Sequence, residues 1–335
     1  MDSEFSSSGV GVIGAGSWGT SLGLLLAKNN LPVTIWGHDA DAIVRLKSLR
    51  ENSTYLPGIQ IPETIQFTAD LDDLAPCGLI LLVTPSRAMR EVSARLSTVA
   101  LNPKAVLLSC TKGVERGSGL RMSQIIQEAL PAHPIAVLSG PSHAEEVARL
   151  APTAVVLGCE NITLGQQLQK AFCNSTFRAY TNPDVIGVEL GGALKNIFAI
   201  AAGICDGLAL GDNTKAALVT RSLAELIRLG TALGGKPETF HGLSGIGDLM
   251  VTCFSQHSRN RAVGERLGRG ETLASIISSM QMVAEGVPTT YSAYDCAKKL
   301  GIDTPIIDQI RLVLDGALSA PDALSALLAR DPRPE

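Results

Sequence analysis

The sequence predicts an α/β, Rossmann-type N-terminal domain followed by an all-α C-terminal domain, and three observations carry that expectation. A short apolar run, Val10 to Ile13, enters the glycine-rich turn Gly14-Ala15-Gly16-Ser17-Trp18-Gly19 and then a helical stretch. Apolar runs recur at 79–83, 105–109 and 135–139, near-continuous as in parallel strands covered on both faces, with helical segments between them. After Asn182-Pro183 the strand-like alternation gives way to helical spacing. With 335 residues the chain is long enough for two domains of ordinary size. The expected division is a loose polar tail at 1–8, a dinucleotide-binding domain at 9–184 and a helical substrate-binding and catalytic domain at 185–335.

In chain order, the first helix runs from about Thr20 to Lys28, and Leu31 to Trp36 supplies the second strand. In the glycine turn, Gly14 permits a tight bend, Gly16 lets backbone approach a pyrophosphate, and Gly19 lets helix and sheet pack closely. Amides at the helix start would receive the phosphate charge. Asp39 stands near the tip of the second strand, where an acid can bond ribose hydroxyls. It follows His38, however, and on that count would point elsewhere; His38 itself would stack on adenine, face a 2'-phosphate or be an exposed loop residue, so NAD and NADP both remain open. Asp41 to Arg50 reads as a polar helix, and 52–58 as a non-repetitive stretch whose Pro57-Gly58 marks a turn. Further strands are expected at 65–68, 152–157 and 177–180, with a short helix at 71–74 and longer ones at 87–96, 122–130 and 164–173. Lys112, in the loop after the 105–109 strand, is placed for a phosphate or substrate oxygen. Ser142 and Glu145 have capping-box spacing.

The helical part begins with 185–205, whose internal glycines each cost roughly 1 kcal/mol relative to alanine unless close packing or substrate requires them. Helices follow at about 213–229, 237–241, 247–252, 259–267, 275–282, 287–299, 304–314 and 321–328.

A hydrophobic content of 45%, a charged content of 18% and a net charge of -4 without a basic block argue against nucleic acid or an anionic membrane as partner. Seven scattered cysteines without a C-x-x-C pair indicate reduced thiols and a cytoplasmic setting. No membrane span is expected, and Ile197 to Ile204 reads as a buried helix. The five histidines lack metal-ligand spacing, so no metal is expected. The glycine turn lacks the G-K-[ST] ending of a nucleoside-triphosphate loop.

Lys195 is the leading chemical candidate. It sits in an otherwise apolar helix, where an unpaired ammonium would be costly and a desolvated one is a useful acid. The bland alternative is a core lysine held in an ion pair. Asp248, in Gly245-Ile246-Gly247-Asp248, would orient Lys195 or bond a substrate hydroxyl, or act only as an N-cap. In Ser258-Arg259-Asn260-Arg261 an arginine suits a phosphate, and the residues alone do not choose between Arg259 and Arg261.

Together these stretches are specific. The chain resembles the NAD(P)-dependent glycerol-3-phosphate dehydrogenases, most of all the bacterial form, through G-A-G-S-W-G-T at 14–20, N-S-T-Y-L-P-G at 52–58, C-T-K-G at 110–113, and G-P-S-H-A-E-E-V at 140–147. E-L-G-G-A-L-K-N at 189–196, G-I-G-D-L at 245–249, S-R-N-R at 258–261 and V-A-E-G at 283–286 continue the series. The resemblance implies reversible, NAD- or NADP-dependent reduction of dihydroxyacetone phosphate to sn-glycerol 3-phosphate, feeding phospholipid synthesis, in a homodimer. It places the acid–base role on Lys195 and a contact to both substrate and cofactor on Lys112. Substrate contacts fall on Gly140, Ser142, Lys195, Asp248, Ser258, Arg259 and Asn260, with Arg259 also near the cofactor. Cofactor contacts fall on Ser17, Trp18, His38, Ala144, Val283 and Glu285, beside the glycines at 14, 16 and 19. The family often has arginine where His38 stands and an aromatic residue where His143 stands. A hydroxy-acid dehydrogenase of the same build and a catalytically silent nucleotide sensor are the rival readings. The first would need a carboxylate site, and the second would bind cofactor without turnover.

Overall fold

The computed structural model describes residues 5–280 and 282–331. The chain divides into two compact units: residues up to Thr111 with Arg121–Glu189, and Lys112–Leu120 with Leu190 onward. The nine-residue segment carrying Lys112 thus groups with the helical unit, although it follows a strand of the first.

The first unit contains, in order, β1 (Val10–Ile13), α1 (Ser17–Lys28), β2 (Val33–Trp36), α2 (Ala40–Leu49), β3 (Glu51–Asn52), β4 (Leu56–Gln60), β5 (Ile65–Thr68) and β6 (Leu79–Leu82). It continues with α3 (Met89–Leu96), β7 (Val106–Ser109), α4 (Met122–Ala129), β8 (Ile135–Ser139), α5 (Ala144–Ala148), β9 (Thr153–Gly158), α6 (Ile162–Phe172) and β10 (Phe177–Asn182). Eight strands form one sheet in the order β10-β9-β8-β7-β6-β1-β2-β5. Every residue of β1, β6 and β7 is buried, which is why these strands read as unbroken apolar runs. All neighbours pair in parallel except β8 and β9. The connection explains the exception. A five-residue helix such as α5 rises only about 7 Å, too little to carry the chain back along β8, so β9 starts from the end where β8 finished.

Three local expectations give way here. The 52–58 stretch is not irregular: β3 and β4 form a small antiparallel pair, and Pro57 and Gly58 lie inside β4. A two-stranded ribbon leaves its outer edge unpaired, so proline is tolerated there. The Ser142 capping box does not form, because α5 starts at Ala144 with His143 as its N-cap; the Ser142 hydroxyl instead donates to the Gly140 carbonyl at 3.0 Å. Of the tail expected at 1–8, residues 1–4 lie outside the described residues. The rest is a turn: the Gly9 amide donates to the Phe5 carbonyl, and Phe5 is buried in the core, since its ring gains more from apolar contact than from solvent.

The second unit is helical. It receives α7 (Val185–Gly207) from the first unit and continues with α8 (Gly211–Ala232), α9 (Pro237–Phe240), one π-turn at Leu243–Gly247, α10 (Asp248–Phe254) and α11 (Arg259–Gly268). The remaining helices are α12 (Leu273–Ser278), α13 (Gly286–Leu300), α14 (Pro305–Leu314) and α15 (Ala320–Leu328). The glycines of α7 permit backbone contact. A Cβ at Gly203 would stand 1.9 Å from the Arg261 carbonyl oxygen, and one at Gly264 would stand 1.9 Å from that of Ile200. Alpha-helices 7 and 11 therefore touch through glycine on both sides, which offsets the propensity cost. By length and composition α7 is apolar enough to cross a membrane, yet 89% of that window is buried within the protein. Glu225, buried on α8, accepts the Ile306 and Ile307 amides at the start of α14; burial pushes its carboxyl up to about 7.

Candidate active site

In the first unit the glycine turn is shaped by its own packing. Gly14 has φ +127°, and a Cβ there would lie 2.5 Å from the Val83 carbonyl oxygen; one at Gly19 would lie 1.8 Å from that of Gly14. Around Gly16 nothing stands within 4 Å of where a Cβ would be. A Cβ would therefore project only into space open to a ligand. Gly16 is also the N-cap of α1, and no side chain caps that helix. Open space before an uncapped, twelve-residue helix start suits a pyrophosphate, so these residues fit a dinucleotide. Asn52 braces the turn, its amide donating to the Ala15 carbonyl at 3.0 Å and the Thr20 hydroxyl at 2.8 Å.

Ser17 is buried and Trp18 is packed partly against the core. The Ser21 hydroxyl donates to the carbonyl of Ala144 at 2.8 Å, which ties the start of α5 to α1. His38 is exposed just past β2. Asp39 is committed as the N-cap of α2, accepting the Ala42 amide at 3.0 Å, and that bond lowers its carboxyl below the usual carboxylate range. Gly140 has φ +128°, again a conformation that suits glycine.

In the second unit, Gly191 allows the decisive approach. A Cβ on it would be 2.5 Å from the Ser244 carbonyl oxygen, so the π-turn lies directly on α7. One helical turn further along the same face stands Lys195. The turn ends at Asp248, which is 1% exposed and is the first residue of α10, not its cap. Its Oδ1 accepts from Lys195 Nζ at 2.5 Å and its Oδ2 from Lys112 Nζ at 2.6 Å. Two ammonium groups therefore share one buried carboxylate. Lys195 Nζ also donates to the Thr252 hydroxyl at 2.5 Å, and that hydroxyl donates to the Asp248 carbonyl at 2.6 Å. Burial pushes the Lys195 ammonium down to about 8, with the neighbouring Lys112 charge adding to the drop and Asp248 opposing it. The adjacent Cys253 thiol is pushed up to about 12 by burial and is no nucleophile at neutral pH.

The start of α11 holds a second group. Ser258 caps the helix, its hydroxyl accepting the Arg261 amide at 3.2 Å. Asn260 donates to the Asn196 side chain at 2.8 Å and accepts the Gly286 amide at 2.9 Å, joining α11 to α7 beside Lys195 and to the start of α13. The two arginines separate clearly. Arg261 is bound to Asp206 at 2.5 Å and to the Ser255 carbonyl at 3.0 Å, whereas Arg259 is exposed with one nitrogen donating to the Val283 carbonyl at 3.0 Å. Glu285 stands at the N-cap position of α13.

Lys112, Lys195 and Asp248 thus come together on one carboxylate, and Ser258, Arg259, Asn260 and Val283 gather around the start of α11, linked to the first group through Asn196. Gly14, Gly16, Ser17, Trp18, Gly19, His38, Gly140, Ser142 and Ala144 belong to the first unit. Sequence reasoning passed over Thr252. Its signal was the i,i+4 spacing from Asp248, which puts both residues on one face of α10. Among the described residues no group of histidine, cysteine, aspartate or glutamate could hold a metal ion.

Known proteins match over nearly the whole chain. Residues 9–165 match the family profile of the NAD-dependent glycerol-3-phosphate dehydrogenase N-terminus, and residues 184–325 match that of its C-terminus. A glycerol-3-phosphate dehydrogenase [NAD(P)+] of Citrifermentans bemidjiense is 48% identical over 97% of this chain and 98% of its own length. One from Bacillus licheniformis is 48% identical over 96% of this chain and 94% of its own. The crystal structure of glycerol-3-phosphate dehydrogenase from Coxiella burnetii superposes with a TM-score of 0.93 at 40% identity, covering 96% of this chain and 99% of that one. The chain belongs to the NAD-dependent glycerol-3-phosphate dehydrogenase family.

Proposed function

We propose that this enzyme reduces dihydroxyacetone phosphate to sn-glycerol 3-phosphate with NADH or NADPH, and that Lys195 is its general acid and, in reverse, its general base. The observation that carries the reading is the Lys195–Asp248–Lys112 arrangement: a buried ammonium, oriented by a carboxylate and Thr252, with its proton affinity lowered toward neutrality. Bound NADH or NADPH supplies the hydride that C2 of the ketone accepts. As the C2 oxygen gains charge, Lys195 Nζ gives it a proton and is left as a neutral amine, which solvent reprotonates. Lys112 adds positive charge where the anionic substrate must sit. Arg259 offers its guanidinium fork to the phosphate, with Asn260 and Ser258 beside it, and Gly140 and Ser142 complete the substrate contacts. The turn at Gly14, Gly16 and Gly19, with Ser17, Trp18, His38 and Ala144, holds the dinucleotide, and Lys112, Arg259, Val283 and Glu285 contribute to the same ligand.

The remaining parts of the reading are a dinucleotide domain ending near 184, a substrate domain from 185, and a cytoplasmic homodimer whose product enters phospholipid synthesis. Light scattering tests the dimer directly.

The reaction is tested by loss of absorbance at 340 nm with dihydroxyacetone phosphate, using NADH and NADPH in parallel. Oxidation of at least one, absent with unphosphorylated dihydroxyacetone, is expected. Folded, nucleotide-binding protein that turns over neither would overturn the assignment. Arg259→Ala should raise KM for dihydroxyacetone phosphate by roughly 10- to 100-fold, the scale of one or two hydrogen bonds to a charged group. A variant with the parent KM would remove Arg259 from the phosphate clamp.

A further inference from the structure

Lys112–Leu120 belongs to the second unit but to none of its helices, so the position of Lys112 against Asp248 needs a support outside its own segment. One face of α13 provides it. The Ser292 hydroxyl, 2% exposed, donates to the Val114 carbonyl at 3.1 Å and lies 3.3 Å from the Pro288 carbonyl one turn earlier. Beside it, the Arg116 guanidinium lies over the Tyr291 ring, 4.7 Å from its centre. That ring is itself held: Arg311 of α14 lies 4.3 Å from its centre, and its hydroxyl donates to Asp315 at 3.2 Å. One turn beyond Ser292, Cys296 reaches Gly119, where an added Cβ would be 3.0 Å from the sulfur. The segment is thus gripped at Val114, Arg116 and Gly119 along one helix, while Lys112 extends from its near end. Val114 is itself 4% exposed, so its carbonyl is removed from water and depends on Ser292 for a partner.

We propose that Ser292 and Tyr291 are positioning residues for Lys112: gripping the segment from α13, they hold the Lys112 ammonium on the carboxylate that Lys195 shares. This rests on Lys195 being the acid, and it adds a function to the grip. The charged and titratable groups acting on Lys195 are Asp248 and Cys253 of α10 and Lys112, and of these only Lys112 lowers its proton affinity. Loosening the grip therefore moves Lys195 toward the ordinary lysine value and weakens the pull on an anionic substrate. A generic packing defect would do neither.

The test is Ser292→Ala, read in three ways. Reductive methylation by formaldehyde and a borane, quantified at Lys112 by mass spectrometry, should be faster than in the parent, because an ion-paired ammonium rarely presents its free amine. KM for dihydroxyacetone phosphate should rise about two- to tenfold, the range of one buried hydrogen bond. The alkaline limb of kcat/KM for reduction should move to higher pH. In a Lys112→Ala background, Ser292→Ala should change neither KM nor the limb further, since coupled residues are non-additive. Tyr291→Leu, which removes the ring beneath Arg116, carries the same readings if Ser292→Ala fails to fold. Unchanged Lys112 labelling, or an equal loss from Ser292→Ala with and without Lys112, would overturn the proposal. The labelling readout does not use turnover, so it decides the grip even if Lys195 proves not to be the acid; loss of the limb in Lys195→Ala decides that separately.

Discussion

Replacing Lys195 by alanine lowers kcat for dihydroxyacetone phosphate reduction by at least ~10²-fold, within the usual contribution of a positioned acid–base group. The expectation follows from where the ammonium is. It is buried at 2.5 Å from both Asp248 and Thr252, so the geometry leaves its remaining proton as the one available to a substrate oxygen. The sign of the pH dependence follows too. Reduction needs the protonated lysine, so turnover in the parent enzyme falls as pH rises through about 8, and oxidation rises over the same interval. In the alanine variant both limbs vanish with the group that produced them. Affinity for NADH, measured by fluorescence titration, stays near the parent value, because Lys195 is not among the residues proposed to hold the dinucleotide. Parent-like turnover in a folded variant would end the case for Lys195 as the acid.

Asp248→Asn has the second large effect, and it is a double one. The amide keeps the shape of the carboxylate and loses its charge, so two ammonium groups converge on a neutral partner. Removing one member of a buried ion pair costs about 3–5 kcal/mol, and the urea midpoint of unfolding falls accordingly. The charge and hydrogen bond of Asp248 are what raise Lys195 against the effect of burial. Without them the lysine loses its proton more readily, and the alkaline limb of reduction moves below 8. That is opposite in direction to the shift expected for Ser292→Ala, so the two variants separate loss of the shared carboxylate from loss of Lys112. An Asp248→Asn enzyme with the parent midpoint and the parent limb would show that the carboxylate is not shared in solution.

Much of the fold was legible because the forces that make it are local. Strands β1, β6 and β7 are buried throughout, so each is a continuous apolar run, and the glycines at 14 and 19 stand where the turn and the packed helix leave no room for a Cβ. What escaped was local structure settled by distant atoms. Asn52 stands in a short ribbon while its amide braces the distant Ala15 carbonyl, and no periodicity in 52–58 reports either. Asp39 has the position of a ribose ligand by count, yet the nearest unpaired amide of α2 claims it.

The sequence by itself determined the class of each domain and the nucleotide turn, since these depend on residue type and on spacings of a few residues. Only the tertiary structure decided which groups meet. Lys195 and Asp248 are 53 residues apart, and Lys112 and Asp248 are 136 apart. Nothing in either segment states that Gly191 will admit the π-turn beside α7. The two neighbouring arginines part in the same way: Asp206 at the far end of α7 binds Arg261, whereas Arg259 is exposed and donates to the Val283 carbonyl. A buried charge must find its partner wherever the packed chain brings one, and that pairing is a property of the fold as a whole.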